Sequence, residues 1–286
     1  MINALTDHPP VTVPCYAAVH DSRSGRSCVV LQDLSETHTP PVTRGQQVGI
    51  AEGVPARVKI DQVMDTLAKL HAYWFDNPRL KRMGFDVGYW SRNEERFGKY
   101  LQRRRTAWED LISGEGSWFP QDLRALYERV FDCLADHWQR YLQPRFDRRI
   151  DLTLVHGDAY FANFLCPIGD APGPAYLLDW QSPTCDVGGY DLANLLATFW
   201  TPAQRMAEER EVRALRRYHS VLQSHGIQSD SWDDLTTDYR SGLIFWLLMP
   251  VQDRYGKAKR DYWWPKMQCL VAAFRDWDCE DLLRSS

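Results

Sequence analysis

In the segment Leu154-Val155-His156-Gly157-Asp158-Ala159-Tyr160-Phe161-Ala162-Asn163, a carboxylate and a side-chain amide lie five residues apart, just after a short apolar run. Twenty-one residues beyond Asp158, a second apolar run ends in an acid, Leu177-Leu178-Asp179-Trp180. Phosphoryl transfer needs this inventory: one carboxylate to accept or orient a hydroxyl proton, and an amide oxygen with a second carboxylate to hold magnesium against phosphates. Taken singly the groups mean little, since a lone His-Gly-Asp is ordinarily a turn whose Asp caps backbone N–H groups. The joint order of strand, His-Gly-Asp-x4-Asn, strand, Gly/Pro turn, strand and Asp is far more selective. It makes Asp158 the candidate base and Asn163 and Asp179 the candidate metal ligands. His156 has apolar neighbours, which suits a histidine that holds the loop by hydrogen bonds rather than one that transfers protons.

The elements that must position these groups can be read from hydrophobic period. Residues 152–155 and 175–178 read as short strands on either side of a Gly/Pro-rich turn at 167–174. Near the N-terminus, residues 11–20 and 27–34 read as strands flanking the polar turn Asp21-Ser22-Arg23-Ser24-Gly25-Arg26, which together make a hairpin. Residues 35–55 carry Thr, Pro and Gly without period and read as a loop. From Arg57 the period becomes helical, with Val63, Met64, Leu67, Leu70, His71 and Trp74 largely at three- and four-residue steps, until Asn77-Pro78. Further helices are expected over 89–111, 120–141, 190–200, 202–225 (stopped by Gly226), 232–249 and 262–283. The fold class is α+β: a small β piece over 1–36, then a large, mainly helical unit over 37–286 with a hairpin embedded in it.

Composition excludes several function classes. The net charge is −4, so no basic field points to nucleic acid or an anionic membrane. The most apolar run, 242–251, is far too short to cross a bilayer. Seven cysteines without a C-x-x-C pair fit free thiols in a reducing compartment. Residues 1–7 show no basic segment leading into an apolar one, so the expected location is the cytoplasm. The chain is rich in aromatics (12 Trp, 13 Tyr and 11 Phe), which serve either a helical core or the walls of a substrate cavity, and both readings stay open for different residues.

The spacing Asp-x4-Asn followed by a strand-borne Asp is also that of the protein-kinase catalytic loop and its magnesium-binding acid. Together, His156-Gly157-Asp158…Asn163, Leu178-Asp179-Trp180 and Gly189-Tyr190-Asp191-Leu192-Ala193 resemble the aminoglycoside phosphotransferase and choline kinase superfamily. Asp179-Trp180-Gln181 and Leu67-Ala68-Lys69-Leu70-His71-Ala72-Tyr73-Trp74 are most similar to its ecdysteroid kinase-like branch. The resemblance runs from about Val13 onward and implies a protein-kinase-like fold, ATP as co-substrate, Mg2+ as cofactor and a small-molecule hydroxyl as acceptor. It implies Asp158 as catalytic base and Asn163 and Asp179 as magnesium ligands. It also implies Asp191 as a buried acid supporting the catalytic loop, against the alternative of a helix N-cap. Val29-Val30-Leu31-Gln32-Asp33-Leu34 resembles the last N-lobe strand and hinge, which implies that Gln32, Asp33 and Leu34 meet the nucleotide. Oligomeric state stays open, a dimer included.

Two departures qualify the resemblance. The hinge-like strand begins near residue 27 with one strand before it, and neither Gly-x-Gly-x-x-Gly nor Gly-Lys-Ser/Thr occurs. The expectation is an N-lobe short of its first half, through a late start, a fragment or degeneration, with weak or no turnover in this form. The competing function is accordingly a kinase-like binding or scaffold protein. The substrate side is aromatic, with Trp246, Tyr255, Tyr262, Trp263, Trp264 and Trp277 in the last third, and its acid cluster Asp230, Asp233 and Asp234 reads as a solvated turn. That composition orders the acceptors as an apolar, steroid-like alcohol, then an aminoglycoside or macrolide antibiotic, then a choline-like cation.

Overall fold

Alternating Val, Cys and Tyr on either side of a Gly-containing turn produce an antiparallel ribbon, β1 (Cys15–Asp21) and β2 (Arg26–Leu31), with Ala18 opposite Val29 and Gly25 in the left-handed region at φ 67°. The computed structural model describes residues 10–50, 53–88, 90–169, 171–227 and 231–284. The expected segment 1–7, the helix start at Tyr89 and the acid Asp230 lie outside the described residues.

Residues 35–55, read as a loop, hold β3 (His38–Thr39) and the short helix α1 (Arg44–Gly49). Six residues are too few to show a period, and the readable signal is the capping box of Thr43 and Gln46, in which each side chain bonds the other's backbone N–H. The helices α2 (Arg57–Trp74) and α3 (Arg79–Arg82) follow, and then α4 (Glu94–Glu115), which starts later than expected because Asn93 caps it by accepting from Arg96 N–H at 2.9 Å. Next come α5 (Gln121–His137), a wider π-helical turn at Trp138–Leu142 and α6 (Gln143–Arg148).

Four short strands then carry the loop that matters. They are β4 (Thr153–Val155), β5 (Phe164–Pro167), β6 (Tyr176–Leu177) and β7 (Thr184–Asp186). β5 and β6 form a hairpin, β3 adds to the other edge of β5, and β4 pairs with β7. A parallel bridge from Thr12 to Leu177 ties the N-terminal segment to the same hairpin. β7 has no alternating pattern and escaped the sequence reading.

The C-terminal helices are α7 (Gly189–Ala197), α8 (Pro202–Met206), α9 (Arg210–Ser224), α10 (Trp232–Trp246), α11 (Met249–Tyr255), α12 (Arg260–Asp276) and α13 (Glu280–Leu283). The helix expected over 202–225 is broken where Glu208 and Glu209 take φ of 53° and 52°. The one expected over 232–249 ends before Pro250, which cannot continue a helix interior and sits in the first turn of α11. α7 and α10 cross closely enough that a Cβ on Gly242 would lie 2.4 Å from Gly189 O, so neither crossing position tolerates a side chain.

Leu67, Leu70, Leu195, Leu196, Leu243 and Leu270 lie in one continuous core. Trp74, Trp108, Trp138, Trp200 and Trp263 are fully buried there, so the core reading holds for these tryptophans. The cysteines are free. No described helix is long and apolar enough to cross a membrane.

At the end of β7, Asp186 is 3% exposed, and burial pushes its carboxyl up to about 7, with Asp238 and Asp191 adding to the push and Val187 N–H and Arg145 opposing it. Its folded value lies above its unfolded one, so its contribution favours the fold at low pH and is lost as pH rises toward 7. The expected result is a loss of about 2–3 kcal/mol between pH 5 and pH 7 from this group. Thermal melts at the two pH values check it: Asp186→Asn should flatten the fall relative to the parent chain, and an unchanged slope refutes it.

Candidate active site

The loop between β4 and β5 is held from below by Asp191. The carboxylate accepts from His156 N–H at 2.6 Å, from Gly157 N–H at 2.9 Å and from His71 Nε2 at 3.3 Å. His71, on α2, is buried and meets Tyr218 of α9 through Nδ1 at 2.7 Å. Asp191 is fully buried in the first turn of α7, whose N-cap is Gly188, so its carboxyl bonds the loop and not its own helix end. His156 donates from Nε2 to Leu178 O at 2.7 Å, which fixes the ring so that Nδ1 accepts Asp158 N–H at 3.3 Å. Leu178 N–H in turn donates to Asn163 O at 2.8 Å. The candidate residues His156, Asp158, Asn163 and Asp191 therefore belong to one hydrogen-bonded unit, and Asp179 follows directly on Leu178, which bonds His156 and Asn163.

Gly157 makes the loop's turn possible. Its φ is 80°, and a Cβ there would lie 2.3 Å from Ser182 O. Only glycine meets both conditions. On the far side, Ala162 N–H donates to Gln47 Oε1 at 2.9 Å, from a buried glutamine of α1. Lys59 of α2 grips the β5–β6 turn through the carbonyls of Pro167 and Gly169, each at 2.5 Å.

Asp158 is half-buried, and desolvation raises its carboxyl above the ordinary range, with His156 and Lys266 opposing and Asp179 and Asp191 reinforcing the rise. A carboxylate raised in this way is a stronger proton acceptor. Asn163 spends Nδ2 on Asp158 O at 3.0 Å, leaving its amide oxygen as the atom for a cation. Asp179 adopts φ 60°, and its Oδ1 accepts from Gln181 Nε2. One carboxylate and one amide oxygen fit Mg2+, which keeps water and phosphate ligands of its own. Among the described residues no cluster of three or more His, Cys, Asp and Glu would hold a metal by itself.

Two cavities meet this unit. The larger, about 640 Å3, includes Asp158 in its wall with Trp90, Tyr190, Phe199, Trp246 and Tyr262. The second, about 470 Å3, is lined by Gln32, Asp33, Leu34, Leu165 and Leu178. The hinge-like residues thus reach the loop's unit through Leu178. Of the expected aromatic wall, Trp246 and Tyr262 line the larger cavity, whereas Trp263 is core, Trp264 packs edge-on against Trp118 at 5.0 Å, Trp277 lies against Tyr239 at 5.2 Å and Tyr255 is exposed. Asp233 and Asp234 sit in the first turn of α10 and outside that lining, with Asp234 in a capping box with Ser231. Sequence reasoning missed Gln47, Arg104 and Lys266. Gln47 and Arg104 stand beside residues of their own type, Gln46 and Arg103 with Arg105, and no local pattern distinguishes any of the three from a surface residue.

A β-hairpin inside a helical lobe, a loop pinned by a buried acid, one cavity at that loop and a second against the hairpin fit the fold of the kinase-like phosphotransferases. Residues 3–228 match the ecdysteroid kinase-like family, and the chain belongs to that family. The resemblance read from the His156–Asn163 and Asp179 motifs is borne out. Among solved structures, a mutant of aminoglycoside 2′-phosphotransferase-IIIa in its GDP complex is similar with a TM-score of 0.54 and 15% identity, over 98% of this chain and 79% of that one. Spectinomycin phosphotransferase APH(9)-Ia, in complex with ADP and spectinomycin, gives a TM-score of 0.54 and 13% identity over 99% and 78%. A choline kinase from Streptococcus pneumoniae gives 0.49 and 18% over 93% and 75%. At these identities the likeness is one of fold. No curated protein matches the chain.

Proposed function

We propose that this chain transfers the γ-phosphoryl group of ATP to a hydroxyl of a bulky apolar small molecule, with Mg2+ as cofactor. The observation that carries the reading is the shared loop, whose Asp158 faces an aromatic cavity while its partner Leu178, next to Asp179, lines the hinge cavity. In this reading the nucleotide occupies the hinge cavity against Gln32, Asp33 and Leu34, and the acceptor occupies the aromatic one. Asp158 takes the acceptor's hydroxyl proton as the oxygen attacks the γ-phosphorus and the bond to the β-phosphate oxygen breaks. His156, fixed by Leu178 O, holds Asp158 by its backbone, and Asp191 keeps the turn from opening. Asn163 and Asp179 would hold magnesium, which neutralises phosphate charge when bound.

A second reading has its own support. The described lining of the hinge cavity carries no Lys or Arg for the phosphates, as in a kinase-like protein that binds without transferring. Melting curves with ATP, with and without Mg2+, and a transfer assay separate the two. The expected result is a rise in Tm with ATP that is larger with magnesium, together with ADP release dependent on a hydroxylated acceptor. Binding without transfer favours the second reading, and absence of nucleotide binding overturns both.

A further inference from the structure

The larger cavity has a charge pattern that its aromatic walls do not explain. Its cationic lining consists of Arg44, Arg104 and Lys266, and its carboxylates are Asp158 and Asp253. Asp253 is already paired, since Lys266 Nζ lies 2.9 Å from its Oδ2. Asp158 is the group assigned to the acceptor's hydroxyl. That leaves Arg44 and Arg104 without a carboxylate among the described residues, and of the two Arg104 carries a buried, unpartnered nitrogen.

Arg104 is also poorly satisfied by hydrogen bonds. Its Nη2 reaches the weak acceptor Met249 Sδ at 3.2 Å, and its Nε is buried with no partner. The guanidinium stacks over Tyr100, 4.8 Å from the ring centroid, and Tyr100 in turn stacks on Trp90 at 4.2 Å. A guanidinium over a ring, with its planar fork of donors, suits a planar anion met by two parallel N–H bonds.

A second observation comes from a different helix. Asn194 lines the same cavity at 2% exposure, and its Oδ1 accepts from Thr198 Oγ1 at 3.0 Å. Its Nδ2 is buried without a partner. Asn194 stands four residues after Tyr190 on α7, hence on the same face. Burial pushes the Tyr190 hydroxyl well above its ordinary range, and the Arg104 charge opposes that push. An unpartnered amide donor and an unpaired guanidinium therefore line the same cavity, and buried donors of this kind need an acceptor atom.

We infer that the acceptor molecule carries, besides its hydroxyl and its apolar body, one anionic group of carboxylate type, read by Arg104 and Asn194. This rests on the proposed phosphotransfer reading for the identity of the cavity, though not for the charge pattern itself. An acceptor bearing several ammonium groups would meet Arg44, Arg104 and Lys266 with only Asp158 free to pair, which disfavours aminoglycoside-like ligands here.

The test is a binding measurement without nucleotide. The intrinsic fluorescence of Trp90 and Trp246 reports titration with cholic acid and with gibberellic acid, each polycyclic, hydroxylated and carboxylic, and with the methyl ester of each. At least one acid should bind about tenfold tighter than its own ester, and Arg104→Met should reduce the acid's affinity to that of the ester. The inference is overturned if both esters bind as well as their acids, if neither acid binds, if the preference survives Arg104→Met, or if kanamycin binds more tightly than the acids. The acid–ester comparison on the unaltered chain needs no variant, and Arg104→Gln repeats the test should the Met variant not fold. Asp158→Ala should retain the preference for the acid. A preference for the acid alongside a failed transfer assay would leave this inference standing and reject the phosphotransfer reading.

Discussion

Asp158→Ala is expected to lower phosphoryl transfer by about 10²–10⁴-fold, the usual contribution of a positioned proton acceptor, while leaving the melting temperature and magnesium-dependent nucleotide binding close to those of the parent chain. The separation follows from how the residue is held. Its backbone, not its carboxylate, carries the fold's hydrogen bonds: Asp158 N–H donates to His156 Nδ1, and Asp158 O accepts from Asn163. Removing the carboxyl therefore orphans no donor in the loop. It also removes a desolvated acid that Asp179 and Asp191 repel, so no loss of stability is expected. Single-turnover transfer measured beside thermal melts decides the matter. Transfer at the parent rate would sink the assignment of Asp158 as base. A large fall in Tm would mean that its role is structural.

How much of this was legible in the sequence follows from where the information lies. The His156–Asn163 loop and Asp179 were readable because their chemistry depends on short, fixed spacings between strand ends. The helical lobe was readable because α2 and α5 each keep one apolar stripe over four or more turns. Where helices stop was harder. Pro250 gave a local signal, but the left-handed turn at Glu208 and Glu209 uses residue types that favour helix, so only tertiary packing sets it. The cavity's second polar wall was hidden for a similar reason. Arg104 on α4, Asn194 on α7 and Lys266 on α12 lie far apart in the chain and meet only after the helices pack. His71 shows the same limit: its place on the apolar face of α2 was visible, but its partners Tyr218 and Asp191 were not.

The second large effect concerns stability. Asp191→Ala is expected to cost about 3–5 kcal/mol, because it orphans one buried and one part-buried backbone donor at about 1–3 kcal/mol each and removes the partner of a buried histidine. The donors are His156 N–H and Gly157 N–H, and the histidine is His71. His156 N–H and His71 have no alternative within reach of water, since both residues are at most 1% exposed, whereas Gly157 is part-buried and borders the larger cavity. In a chain of 286 residues the melting temperature should fall by roughly 5–8 °C. Asp191→Asn keeps one acceptor oxygen but turns an amide donor toward the same donors, so it should fall between the parent and the Ala variant. Transfer should fall in step with Tm in this series, because the loop that carries Asp158 loses its anchor before the carboxylate itself is touched. His71→Ala supplies the coupling check. If Asp191 acts through the loop and His71 together, the double variant should lose less than the sum of the two single ones. Strict additivity, or an Asp191→Ala protein that melts with the parent, would show that the loop is held by something other than this carboxylate.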